Sequence, residues 1–288
     1  MNMKRKKNLI IAFEGLDCSF KETLYNVVKD NFDEIMEEIK EETPEYKKDF
    51  ILHTESFPRY NKPAASLVNN LLSGKYADVD IYNESRVTNN RPTFNKIARN
   101  CFIADFFDYW YHKEGLFMKI EDYEPNQFGD NNCDIDTNHI FLFDRYIFSN
   151  AIYNPIMQES LENISMEPEI SLGIPAPDFV IWCSHTKFEA MANLITKKKN
   201  KDINEMNLNY LKEVWSRTNN FFKEVPSAYL EYAQSNETLS YDIFDNRTHT
   251  KYIILEVSDL DGKYRNRNTL STLAINIIRN IIKEGVLL

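Results

Sequence analysis

The 288-residue sequence has no apolar run near the roughly 20 residues that a membrane-spanning helix requires. Its N-terminal charge cluster, Lys4, Arg5, Lys6 and Lys7, precedes an apolar run, Leu9–Phe13, too short for the core of a signal peptide. That run is expected to be the first strand, and the cluster a solvated tail. Cysteine and histidine are sparse. The four cysteines, Cys18, Cys101, Cys133 and Cys183, form no C-x-x-C pair, and none has a histidine at zinc-finger spacing. The five histidines are dispersed. These absences weigh against a disulfide scaffold or zinc module and point to a reduced, cytoplasmic protein without structural metal. Positive charge is also in deficit, because 34 Lys and Arg against 44 Asp and Glu leave a formal net charge of −10. A general nucleic-acid binder carries the opposite balance. An acidic protein that handles phosphates must concentrate its cations locally, so the basic residues near strand ends matter most. Internal repeats and Gly/Ser linkers are absent too.

What is present is an α/β alternation. Hydrophobic residues make up 43% of the chain, enough for a sizeable core. Five β-rich runs stand out: Leu9–Phe13, Phe50–Thr54, His139–Phe143, Phe179–Cys183 and Tyr252–Val257. Most lack polar alternation, as strands buried on both faces do. Helical periodicity lies between them. Leu24, Val27, Val28, Phe32, Ile35, Met36 and Ile39 form the clearest stripe, and Asn95–Tyr111, Leu208–Phe222 and Leu270–Ile282 follow. The pattern predicts a doubly wound five-stranded parallel sheet flanked by helices, in one domain over 1–288. Glu121–Asn138 and Ala228–Thr250 lack a clear register and are expected to be surface excursions.

The first strand runs into Glu14-Gly15-Leu16-Asp17-Cys18-Ser19-Phe20-Lys21-Glu22-Thr23, followed by the strongest amphipathic helix. Strand, tight turn and helix N-terminus are the context of a phosphate-binding loop (P-loop), in which backbone N–H groups and the helix dipole face an anion. Gly15 and Lys21 fit the pattern G-x-x-x-x-G-K-[ST]; Phe20 replaces its second glycine and Glu22 its Ser/Thr. A bulky residue is strained at the positive φ that glycine supplies there.

Further segments give the chain a resemblance to the thymidylate kinase family over most of its length apart from the two excursions. The loop resembles that family's F-E-G-x-D-G-x-G-K-x-T, with Asp17 and Thr23 matching and Cys18 and Phe20 departing from the two glycines. Phe57-Pro58-Arg59-Tyr60 is similar to F-P-R-Y, whose arginine holds the acceptor phosphate. Phe102-Ile103-Ala104-Asp105-Phe106 resembles F-A-x-D-R, in which the first residue stacks on the base. Phe106 stands where the base-binding arginine would be. Asp144-Arg145-Tyr146-Ile147-Phe148-Ser149-Asn150-Ala151-Ile152-Tyr153 resembles D-R-Y-x-x-S-N-x-x-Y. Pro177–Val180 and Glu256–Ser258 match framework, and Lys197–Asp202 lies where the family has an arginine-bearing lid, placed here near 195–207.

The resemblance implies ATP-dependent phosphorylation of a deoxynucleoside monophosphate, with thymidylate the leading acceptor. It assigns catalysis to Lys21, Arg145, Asp17 and Asp144. The ATP phosphates would meet Gly15, Cys18, Ser19, Phe20, Lys21, Glu22 and Thr23, with Lys199 and Lys201 closing from the lid. Acceptor contacts would come from Phe57, Arg59, Tyr60, Phe102, Arg145, Ser149, Asn150 and Tyr153. Mg2+ would be oriented by Asp17 and Asp144, directly or through water. Partners would be small nucleotides and, by resemblance, a second copy of the chain, with neither nucleic acid nor membrane. Two alternatives stay open. One is a deoxynucleoside kinase, which phosphorylates a sugar hydroxyl and has less use for phosphate-binding arginines. The other is a non-catalytic nucleotide-binding protein, suggested by Phe20, Phe106 and the lysine-only lid.

Overall fold

The computed structural model describes residues 8–43, 50–73, 75, 87–112, 138–154, 164–199, 207–224, 240–245 and 248–287. The lysines at 4, 6 and 7, Cys133, Lys201, most of the 195–207 lid and the 121–137 stretch lie outside the described residues.

Six strands form one sheet in the order β2-β3-β1-β4-β6-β5. They are β1 (Asn8–Gly15), β2 (Phe50–Ser56), β3 (Asn138–Asp144), β4 (Phe179–Ser184), β5 (Ser240–Asp245) and β6 (Thr250–Glu256). The five parallel strands are those expected, each slightly longer than its apolar run. The sixth was not expected. β5 pairs antiparallel with β6 inside the 228–250 stretch that reads as an excursion. Its sequence, Ser-Tyr-Asp-Ile-Phe-Asp, is of mixed polarity and too short to show a clear period.

Helices cover both faces. On one lie α1 (Lys21–Asp30), α2 (Phe32–Glu42) and the C-terminal helix α9 (Arg267–Leu287). Leu24, Val28, Ile35 and Ile39 pack there with Ile11, Phe13, Ile181, Leu255, Leu270 and Ile278. The single amphipathic stripe read from sequence is broken at Asn31. The Asn31 side chain donates to Val27 O at 2.7 Å, diverting a carbonyl of the last turn. On the other face lie α3 (Ser66–Leu72), α4 (Val87–Tyr111), α5 (Ile147–Tyr153), α6 (Glu167–Ser171), α7 (Phe188–Lys197) and α8 (Leu208–Glu224). Their core is aromatic: Phe57, Phe106, Trp110, Phe141, Phe143, Tyr146, Phe148, Trp182 and Tyr252 are all buried there. Alternate residues of β1 supply the two cores, Ile10 and Ala12 to one and Ile11 and Phe13 to the other, so the strand carries no polar alternation. No described helix is long and apolar enough to cross a membrane.

This order places the site. β1 and β3 are neighbours, yet the chain leaves β1 for α1 on one face and leaves β3 for α5 on the other. A crevice therefore opens between their carboxyl ends, the position where open α/β sheets hold ligands.

Candidate functional site

The loop after β1 builds one side of the crevice. Gly15 has no room for a side chain: a Cβ there would lie 2.4 Å from Ser19 Oγ and 2.8 Å from the Cys183 carbonyl oxygen. Cys18 and Phe20 adopt left-handed φ values of 62° and 61°, at the two positions where the resembled motif has glycine. Such conformations cost roughly 1–3 kcal/mol each for a residue with a Cβ, and persist where surrounding structure holds them. Two contacts do so here. The Phe20 ring packs edge-on against Tyr264, with centroids 5.0 Å apart. The Tyr264 hydroxyl donates to Cys18 O at 3.0 Å. Tyr264, far along the chain, thus braces both strained positions from beneath.

The first hydrogen bond of α1 runs from Leu24 N to Phe20 O at 2.9 Å, so the N–H groups of Lys21, Glu22 and Thr23 precede the helical ladder. Ser19 Oγ is buried and has no hydrogen-bond partner among the described residues. Orphaned donors at a helix mouth beside a buried lone hydroxyl make an anion cradle. Lys21 folds back over it and donates to Leu16 O at 3.3 Å. Burial lowers the Lys21 pKa, and the nearby Arg145 lowers it further.

The β3 end supplies the other side. Arg145 also takes a left-handed φ, 63°, held by its N–H donating to Phe13 O at 2.9 Å. Its side chain reaches back across the crevice and donates to Asp17 Oδ1 at 2.8 Å. Tyr153 OH donates to Asp17 Oδ2 at 3.2 Å. Burial pushes the Asp17 pKa up, but Arg145, Lys21 and Lys198 together hold it below the usual range. Among the described residues, four non-glycine residues have positive φ, and Cys18, Phe20 and Arg145 all belong to this crevice. Strain concentrated in this way is a mark of a functional site. Asp144 is raised by burial, against the pull of Lys21 and Arg145, and its Oδ1 has no partner among the described residues.

A cleft of about 700 Å3, part of it open to solvent, adjoins Arg145. Asp17, Phe57, Phe102, Phe106, Arg145 and Ser149 are among its lining residues. Its mainly apolar and aromatic lining, with a few polar groups, is that of a site for a small organic ligand. Phe102, Phe57, Tyr60, Asn150 and Tyr153, all expected at the acceptor site, line it too. Phe106 presents an apolar wall, buried edge-on against Phe57 at 4.9 Å and Tyr146 at 5.4 Å.

Arg59 sits apart from these. It does not line the cleft. Its Nε donates to Asp105 Oδ1 at 2.9 Å, and one terminal nitrogen donates to Asp108 Oδ2 at 2.7 Å and to Asp105 O at 2.8 Å. The sequence offered a signal for this pairing, since Asp105 and Asp108 share one face of α4 at i, i+3 spacing. Asn150 is also engaged. It donates to Glu169 Oε1 at 2.8 Å and Arg99 O at 3.2 Å, inside a buried network built on the Arg99–Glu169 ion pair. Of the described lysines where a lid was expected, Lys198 and Lys199 are both exposed, and Lys198 is close enough to help depress the Asp17 pKa. Glu22 is exposed, and Thr23 half-buried.

Sequence reading missed Tyr264, Glu14 and His185. Glu14 is buried at the end of β1, and its pKa is pushed up to about 7 by burial. An acidic residue ending a strand buried on both faces was the available signal. His185 lies against Tyr264, with ring centroids 5.3 Å apart, and burial, reinforced by Lys21, lowers its pKa to about 4, which keeps the ring neutral. Nothing local in sequence marks His185 or Tyr264.

The residues present fit Mg2+ in part. Among the described residues no group of three or more His, Cys, Asp or Glu could hold a metal ion. Magnesium beside a nucleotide needs only one or two carboxylates, with phosphate and water completing its shell. Asp144, with its unpartnered Oδ1, suits that role better than Asp17, which Arg145 and Tyr153 already occupy.

Fold and site together define an α/β protein with an anion cradle and an aromatic cleft meeting at the switch point of a parallel sheet. No family model matches the chain, and no curated protein matches it. Among solved structures it is similar to a thymidylate kinase from Candida albicans, at TM-score 0.48 and 16% identity, over 96% of this chain and 92% of that one. Overlap this loose bears on neither substrate nor reaction.

Proposed function

We propose that this protein transfers a phosphate from ATP to a nucleoside monophosphate, with thymidylate the favoured acceptor. The observation that carries the proposal is the bridge from Arg145 to Asp17, which sets a half-buried cation between the loop after β1 and the aromatic cleft. Phosphoryl transfer asks an enzyme mainly for positioning and charge neutralisation. In this reading the ATP phosphates rest on the Gly15–Thr23 loop under Lys21, with Lys198, Lys199 and Lys201 approaching from the lid. Asp144 would hold Mg2+, which when bound would supply charge neutralisation for the donor phosphates. The acceptor base stacks on Phe102 against the wall of Phe57 and Phe106, with Ser149 at its edge. Arg145 faces the acceptor phosphate and offsets its repulsion by ATP.

One observation favours a second reading. Arg59 is neutralised by Asp105 and Asp108, so the acceptor side carries one fewer available cation than the motif implies. A nucleoside kinase, which phosphorylates a sugar hydroxyl, needs fewer. Coupled ADP release with ATP and Mg2+, measured with thymidine and with all four deoxynucleoside monophosphates, separates the readings. Turnover on thymidylate and not thymidine is expected. Turnover on thymidine alone would replace the proposal with a deoxynucleoside kinase. No ADP release with any acceptor and no ATP binding by calorimetry, with monophosphate binding intact, would leave a non-catalytic nucleotide-binding protein.

A further inference from the structure

Glu14 is fully buried behind the cleft and is not itself one of its lining residues. Its two oxygens have separate tasks. Oε1 accepts the backbone N–H of Tyr146 at 2.8 Å and of Ser149 at 3.1 Å. Oε2 meets the Ser149 hydroxyl. Ser149 lines the cleft, and its hydroxyl is the group that joins this part of the cleft wall to the buried carboxyl. A hydroxyl has one proton to donate and two lone pairs. With Glu14 ionised, the Ser149 proton points at Oε2 and only lone pairs face the cleft. With Glu14 protonated, its proton sits on Oε2, because Oε1 already holds two N–H groups. Oε2 then donates to Ser149, whose own proton turns towards the cleft. The two backbone bonds to Oε1 persist in both states, so the start of α5 stays in place.

We propose that Glu14 is a specificity-determining positioning residue whose proton decides whether Ser149 accepts from, or donates to, the edge of a nucleobase in the cleft. The inference rests on the nucleotide reading of that cleft. Burial supports it by placing the Glu14 pKa at about 7, against the opposing hydrogen bonds of Ser149 and Tyr146 and the charge of Arg145. The ionisable groups coupled to Glu14 are Arg145, at the β3–α5 turn, and Cys183 on β4. Arg145 stays cationic, and burial pushes the Cys183 thiol up to about 12, so neither changes charge where Glu14 does.

Uracil and cytosine invert donor and acceptor at both N3 and C4 and are otherwise alike, which makes deoxyuridylate and deoxycytidylate the natural probes. The test is calorimetric binding of each to the full-length protein at pH 6, 7 and 8. The second ionisation of the phosphate is common to both ligands and cancels in the ratio of their dissociation constants. That ratio should move about tenfold across this range, the weight of one mismatched buried hydrogen bond. Its direction identifies which base position Ser149 faces. In Glu14→Gln and in Ser149→Ala the ratio should be flat with pH, although both should still bind nucleotide. A flat wild-type ratio with binding intact overturns the inference and leaves the nucleotide reading standing. A pH-dependent ratio that survives in either variant also overturns it. Failure of the wild-type protein to bind either nucleotide at any pH overturns both.

Discussion

The two sides of the crevice depart from the resembled pattern in opposite ways. On the loop side, Cys18 and Phe20 replace glycines, yet the backbone keeps the left-handed conformations glycine would adopt. On the cleft side, Phe106 replaces an arginine and Arg59 pairs with α4, so the polar atoms facing the ligand differ. A phosphate loop works through backbone N–H groups, which every residue but proline possesses. Such a loop tolerates a change of side chain if packing offsets the strain, and Tyr264 packs against Phe20 here. Base recognition works through side-chain donors, and a phenyl ring cannot replace a guanidinium. Departure in the loop therefore alters energetics, and departure in the cleft alters chemistry.

The largest effect should come from the loop's own cation. Lys21→Ala should abolish transfer while leaving monophosphate binding by calorimetry nearly intact. Loss of both together would show that the two sides are not separable. Arg145→Ala, at the junction, should lower kcat by about two to three orders of magnitude, the scale of one lost electrostatic donor. Circular dichroism should report an intact fold, and unchanged kinetics would remove Arg145 from the mechanism.

The cleft side can be tested through selectivity. Without an arginine at 106, discrimination among pyrimidine monophosphates should stay within about 100-fold in kcat/KM, the reach of an apolar pocket. A larger preference for thymidylate would show that another donor reads the base. Stability then separates the two phenylalanines. Phe106→Ala empties a buried aromatic site and should cost about 3–5 kcal/mol in denaturant unfolding. Phe20→Gly loses the half-buried ring contact with Tyr264 but relieves about 1–3 kcal/mol of backbone strain, so its net effect should be within about 1 kcal/mol. A Phe20→Gly cost as large as that of Phe106→Ala would mean that the ring, not the backbone, is what the loop requires.

Much of this was legible in the chain alone. Five apolar runs, most of them without alternation, became the five parallel strands, because central strands covered on both faces need no polar side. The Gly15–Thr23 segment and the Asp144–Tyr153 segment came together at the crevice, because each directly follows a central strand. β5 escaped notice, since six residues of mixed polarity carry little periodicity and an edge strand draws its stability from its neighbour. The break at Asn31 escaped for the converse reason: a strong apolar stripe runs through it.

The sequence by itself determined the alternation of elements, the two cores and the loop's place at the end of the first strand, all set by local periodicity and by burial. Only the tertiary structure decided which polar side chains remain available. Arg59 was drawn onto Asp105 and Asp108, Asn150 into the Arg99–Glu169 network, and Ser149 onto Glu14. A buried charge or amide takes whichever partner folding brings within reach, because leaving it unpaired costs several kcal/mol. Those partners lie on other elements of the chain, where no motif or periodicity connects them. The tolerance of Phe20 at a glycine position was decided in the same way, by a tyrosine whose contact exists only once the sheet has formed.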